Sequence, residues 1–368
     1  MNSRGHSLGS GSQVAMKPKA RVAMSILLFV GIACAAFGES RTRETPLPQH
    51  LSATGLFVNG STTVSAENLS FTPQYPLWSD GATKRRWIYL PRGTFVDASR
   101  ADAWEMPPGT RLWKEFSVGE RRVETRLIER QQDGSWRYAT YVWREDGSDA
   151  LLAPAAGIAS LQLGNARSYT IPSEPDCRAC HEGAAGPALG FSALQLSPDR
   201  DPLAPHAEPV RAGDVDLRTL VARGLVRNLP QTLIEKPPRI VASSANERAV
   251  LGYLHGNCGY CHGDPDSGAS IPIGVQLVQQ VADPTSADTV LRSLISADSR
   301  FRMPGAPQVN TLIAPGDAGA SVLPMRMRTR DPRVQMPPLG TATPDAKALV
   351  LIERWINHDL KFQKEPSE

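Results

Sequence analysis

Four of the five cysteines stand in two Cys-x-x-Cys-His runs, CRACH (Cys177 to His181) and CGYCH (Cys258 to His262). Two thiols separated by two residues reach both vinyl groups of one porphyrin from a single turn of backbone, and the histidine that follows meets the iron as proximal ligand. The spacing predicts two covalently bound haem c groups. Cys177, Cys180, Cys258 and Cys261 are the attachment residues, and His181 and His262 the iron ligands. A four-cysteine zinc site, a pair of structural disulfides or a thioredoxin-like redox motif would use the same pairs. None of these needs a histidine directly after the second cysteine of each pair, and the separation of 81 residues between the motifs is long for zinc.

The fifth cysteine, Cys34, falls in a leader. Met16 is followed by Lys17, Lys19 and Arg21 and then by an apolar run from Val22 to Phe37, the pattern of a secretory signal, with cleavage expected after Gly38. Residues 1–15 lack that character, so Met16 is an alternative start. Acylation of Cys34 as a lipid anchor is the competing reading, but Gly31 stands where such a site usually has a larger aliphatic residue. Of the formal net charge of +3, the leader contributes four bases and no acid, which leaves 36 basic against 37 acidic residues. A near-neutral chain does not suit a nucleic-acid partner. No further apolar segment reaches spanning length, so the expectation is an exported, periplasmic protein with no membrane span.

Residues 45–175 lack helical periodicity. Arg121 to Arg130 and Trp136 to Glu145 alternate with period two around Asp133-Gly134, a hairpin turn signal. Trp87 to Leu90 and Leu112 to Phe116 are further strand candidates, so a sandwich or barrel-like β domain is predicted. The polar cluster Ser79, Asp80, Lys84 and Arg85 reads as a turn and a solvated strand edge. Residues 176–242 form a Pro-rich segment around the first motif, with one helix near Asp216 to Val226. The fold class is therefore α+β, with a β-rich half followed by a helical one.

Asn246 to Leu254 reads as a helix running into CGYCH, with Asn246 as its cap. Thr343-Pro344-Asp345 opens a last helix, in which Leu349, Ile352, Trp355 and Ile356 recur at helical spacing. Met336-Pro337 lies shortly before it. Helix, motif, long loop, Met-Pro and terminal helix in that order resemble a class I cytochrome c domain, here over residues 243–363. The resemblance implies Met336 as sixth ligand of the second haem, in preference to Met303, which is also followed by proline. For the first haem, no methionine occurs between residues 107 and 302. His50, His206, His255 and His358 remain; His255, one turn before Cys258, is the most suggestive of them, but a packing role for it is the preferred reading and an open sixth site the third.

Beyond that domain, PLWSDGATKRRWIYLPRGT (76–94), PPGTRLWKEF (107–116), DCRACH, YLHGNCGYCH (253–262), PGDAGASVL (315–323) and MPPLG resemble a family of uncharacterised exported bacterial di-haem c-type cytochromes. The resemblance implies the haems and no assigned reaction, so no catalytic residue is carried over. The leading expectation is electron transfer between redox partner proteins. A di-haem oxidoreductase of peroxidase type with an open first haem is the alternative, and a β-domain binding module serving a partner oxidoreductase is a third.

Overall fold

The computed structural model describes residues 46–164, 168–263 and 274–360. The leader, its cleavage site and Cys34 lie outside the described residues.

Strands that alternate residue by residue pair into a six-stranded antiparallel sheet. Its members are β1 (Leu69–Ser70), β2 (Thr83–Tyr89), β4 (Arg111–Val118), β5 (Arg121–Arg130), β6 (Trp136–Trp143) and β7 (Ala150–Leu152), in that spatial order. β3 (Val96–Asp97) pairs in parallel with β10 (Val226–Arg227), and β8 (Ile158–Gln162) forms a hairpin with β9 (Ser168–Ile171). The register sets Trp87 opposite Trp113 and Trp113 opposite Leu127. With Ala139, Tyr141 and Trp143 these side chains make one apolar face, which Leu51 of a 3-10 turn (Leu51–Thr54) and Leu56 just after it cover. Two of the indoles find a partner inside this layer: Trp113 Nε1 donates to Thr54 Oγ1 at 3.1 Å and Trp143 Nε1 to Thr125 Oγ1 at 3.0 Å.

The opposite face has two characters. At one end Ile88, Leu112, Ile128 and Tyr138 pack with Phe191, Leu196, Leu217 and Leu220. At the other end the same face turns cationic, with Lys84 and Arg86 each only 5 % exposed. Here the expectation of a solvated strand edge is corrected: in β2 Thr83 and Arg85 face solvent while Lys84 and Arg86 point inward, because segments from beyond residue 180 cover that face. Lys84 Nζ donates to the Leu77 carbonyl at 2.8 Å.

Among the described residues the helices are α1 (Glu174–His181), α2 (Leu217–Ala222), α3 (Gln231–Glu235), α4 (Ala245–Asn257), α5 (Ser286–Leu294), α6 (Val322–Arg328) and α7 (Ala346–Arg354). The mixed, largely antiparallel-sheet-plus-helix content agrees with the α+β expectation. α4 is buried nearly all round and packs on α7 and on the π turn Trp355–Asp359 that continues it. Ser244, not Asn246, caps α4, accepting from Glu247 N–H at 3.1 Å; Asn246 lies inside the first turn. Asp345 caps α7 through Ala348 N–H at 3.0 Å. Trp355 reaches back to Glu247 at 3.3 Å, and Ser244 to Asp359 at 2.6 Å, so the two helices are joined by polar contacts as well as by Leu251, Leu254, Ile352 and Ile356.

Candidate haem sites

The first motif is a helix. Ser173 and Asp176 form a reciprocal capping box, Pro175 sits in the first turn, and Arg178 pairs with Glu174 at 2.8 Å and Glu182 at 2.5 Å on the outer side. This fixes α1 over β6, where the His181 ring lies 5.5 Å from that of Tyr138 and the Arg178 guanidinium 5.2 Å from the same ring. His181 Nδ1 lies 2.6 Å from the Pro187 carbonyl oxygen. A carbonyl only accepts, so Nδ1 carries the proton and the lone pair is left on Nε2, the nitrogen a haem iron requires. Burial foremost, then the charges of Lys114 and Arg126, lower its pKa to about 4 against the opposing bond to Pro187, so the ring is neutral at neutral pH.

The second motif is a turn that ends α4. Asn257 anchors it: its Oδ1 accepts from Trp78 N–H at 2.6 Å and its Nδ2 donates to the Pro76 and Tyr253 carbonyls at 3.3 and 3.0 Å. His262 N–H returns to the Cys258 carbonyl at 2.9 Å. His262 Nδ1 is buried and has no partner among the described residues, and burial and Arg326 hold its pKa below the usual value.

Although 81 residues separate their first cysteines, the two motifs meet. Cys180 and Cys261 are close enough to act on each other electrostatically, which raises the pKa of Cys180 and lowers that of Cys261 to about 7. Cys177 and Cys258 are pushed up by burial, to about 11 and about 12. All four thiols are half-buried and unbridged. Among the described residues no three His, Cys, Asp or Glu side chains converge as a ready-made metal cage. Two thiols and a tautomer-fixed imidazole on one helical turn are what covalent haem attachment needs, and the first motif fits that donor set.

The proposed axial residues fare unequally. Met336 is half-buried; its N–H donates to the Arg326 carbonyl at 3.2 Å, while the Arg326 guanidinium holds the Val334 carbonyl at 2.7 Å. Arg326 is also the charge that acts on His262, so the Met336 segment is tied to the surroundings of the second motif. Phe301, two residues before Met303, lies under the same guanidinium at 4.0 Å, so the rival methionine enters the same neighbourhood. His255 is half-buried, and its Nδ1 accepts from Gln279 N–H at 3.1 Å. The proton therefore sits on Nε2, the wrong tautomer for an Nε2 iron ligand, which favours the packing role. His206 Nε2 is bonded to Asp345 at 2.8 Å, His50 to Asp149 at 3.0 Å, and His358 is exposed.

Asp80 of the predicted polar cluster caps the backbone of Ala342 and Thr343, joining the strand-rich half to the segment just after Met336. Sequence reasoning missed Pro187, for which no local signal exists. It also missed the inward row of Lys84, Arg86, Lys114 and Arg126: in the sequence Lys84 reads as part of a solvated strand edge, and the cations at alternate positions were a signal that went unread. No helix among the described residues is long and apolar enough to cross a membrane. No protein-family model, no curated protein and no solved structure matches the chain.

Proposed function

We propose that the chain is an exported, periplasmic di-haem c-type cytochrome that transfers electrons between redox partner proteins, and that residues 243–363 form a class I cytochrome c-like domain. The observation that carries the reading is the meeting of two distant Cys-x-x-Cys-His motifs at Cys180 and Cys261, with His181 held in the iron-binding tautomer by Pro187. Packing of α4 on α7 and the π turn, together with the Met336 segment beside Arg326, supports the domain assignment.

Bound haem supplies a one-electron couple whose potential is tuned by its axial ligands and surroundings. The chain's own part is positional. Pro187 orients His181, the Asn257 clamp fixes the turn that carries His262, and the Cys180–Cys261 contact leaves no protein layer between the two attachment points. Burial keeps both histidines neutral.

One observation favours a second reading. Since His255 keeps its proton on Nε2, His206 spends Nε2 on Asp345, and His50 and His358 are exposed, the first haem has no evident histidine as sixth ligand, which is the open site a di-haem peroxidase requires. Carbon monoxide titration with a peroxidase assay separates the two. The carrier predicts fast exchange with small redox proteins and negligible peroxide turnover. Tight carbon monoxide binding at one haem per chain, with turnover lost on His181 replacement, overturns it in favour of the enzyme.

A further inference from the structure

The sheet face beside α1 carries more positive charge than its neighbours neutralise. Arg86 on β2, Lys114 on β4 and Arg126 on β5 occupy directly opposed positions, Arg86 with Lys114 and Lys114 with Arg126. Like charges set opposite each other destabilise a sheet, and Lys84 adds a fourth cation on the same face.

Two carboxylates answer them. Glu208 takes Arg86 at 2.7 and 3.3 Å and approaches Lys84 at 4.0 Å. Glu124 takes Arg126 Nε at 3.0 Å and Nη2 at 2.5 Å, and no bond is made by Nη1 among the described residues. Lys114 has no hydrogen bond or ion pair among them. Its ammonium lies 4.9 Å from the Phe116 ring centre and the Arg126 guanidinium 4.4 Å from the same centre, so one ring draws two cations together. Burial first, then Arg86, Lys84 and Arg126, hold the Lys114 pKa well below its usual value. A half-buried ammonium between guanidinium groups lacks a counter-charge. Arg126 stands opposite Thr140 on β6, two residues from Tyr138, whose ring lies 5.5 Å from that of His181, so the cations sit beside the first motif, and both act on His181 and Cys180.

We propose that Lys114, with the free Nη1 edge of Arg126, is a carboxylate seat, occupied by the carboxylate arms of the haem attached at Cys177 and Cys180. The chemistry matches: the seat offers the ammonium's donors and one guanidinium edge, and a carboxylate presents two acceptor oxygens and the missing charge. The occupant rests on the proposed function; a diffusible carboxylate has the same chemistry.

The test uses the full chain matured with haem, as wild type, Lys114→Gln and Lys114→Arg, with intact mass read first. Both haem potentials are then followed against pH, with and without added acetate. In Lys114→Gln one potential falls, because a lost cation favours the ferric state, and the pH at which that potential changes moves upward, because a carboxylate without its cation holds its proton more tightly. The other potential stays, and Lys114→Arg keeps both. Acetate leaves the wild type unchanged if the arms belong to the haem; a saturating shift absent from Lys114→Gln assigns the seat to a diffusible carboxylate. Two haems with potentials and pH profile unchanged in Lys114→Gln overturn the seat alone. A change of one haem from low to high spin in that variant overturns it by making Lys114 an iron ligand. Fewer than two haems in the wild type overturns the haem reading.

Discussion

Replacing Gly256 by alanine should destabilise the protein, although an exposed mid-helix glycine gains about 1 kcal/mol from that change. α4 approaches the segment before β2 so closely that a Cβ at Gly256 would stand 2.4 Å from the Tyr75 carbonyl oxygen, and one at Gly252 would stand 2.0 Å from Tyr75 Cε1. Backbone oxygen cannot swing aside. The Tyr75 ring, 2 % exposed with its hydroxyl 3.2 Å from Asp201, has little room either. Overpacking of this kind costs about 1–3 kcal/mol, so after the helix-propensity gain the expected net loss for Gly256→Ala is up to about 2 kcal/mol, read as a lower urea midpoint. A double-mutant cycle isolates the cause. Gly252→Ala should be costly in the wild type and close to neutral in a Tyr75→Ala background, since the clash is with that ring. Stabilisation by Gly256→Ala, or equal costs of Gly252→Ala in both backgrounds, would refute the docking of α4 on Tyr75.

Lys84 is buried, and its pKa is lowered from 10.5 to about 8, chiefly by burial and then by Arg86, against the pull of Glu208 and Asp345. A lysine depressed in the folded state disfavours folding while protonated, so stability should rise by up to about 3 kcal/mol as pH climbs from about 8 to about 10.5. Lys84→Met should flatten that rise in urea titrations, and an unchanged slope would contradict the assignment. Met336→Ala should abolish the sulfur-to-iron charge-transfer band of the oxidised haem protein and lower one potential, whereas Met303→Ala should do neither. Loss of the band with Met303 instead would reverse the ligand assignment.

Much of the fold was readable where a local pattern decides it. The period-two runs around Asp133-Gly134 became β5 and β6, and the Asp345 cap opened α7 where the sequence placed it. What lay hidden is non-local. The closure of the strands was open between sandwich and barrel, and pairing across the chain built one six-stranded sheet with two ends. Lys84 read as solvent-facing because a strand pattern does not reveal which face later segments cover; Glu208 and its neighbours bury it. The cap of α4 shifted by two residues because Ser244, Asn246 and Glu247 all compete for that helix end and Ser244 also binds Asp359. Each motif was legible by itself, but the approach of Cys180 to Cys261 comes from tertiary packing that brings the ends of α1 and α4 together, which no spacing rule encodes.

Mass spectrometry of the denatured protein, produced in a host with complete cytochrome c maturation, tests the central claim most directly. Two covalent haem additions per chain are expected, with one remaining after joint replacement of Cys258 and Cys261 and one after joint replacement of Cys177 and Cys180. A wild-type mass with fewer than two haem additions, or with cysteines joined as disulfides, would contradict it.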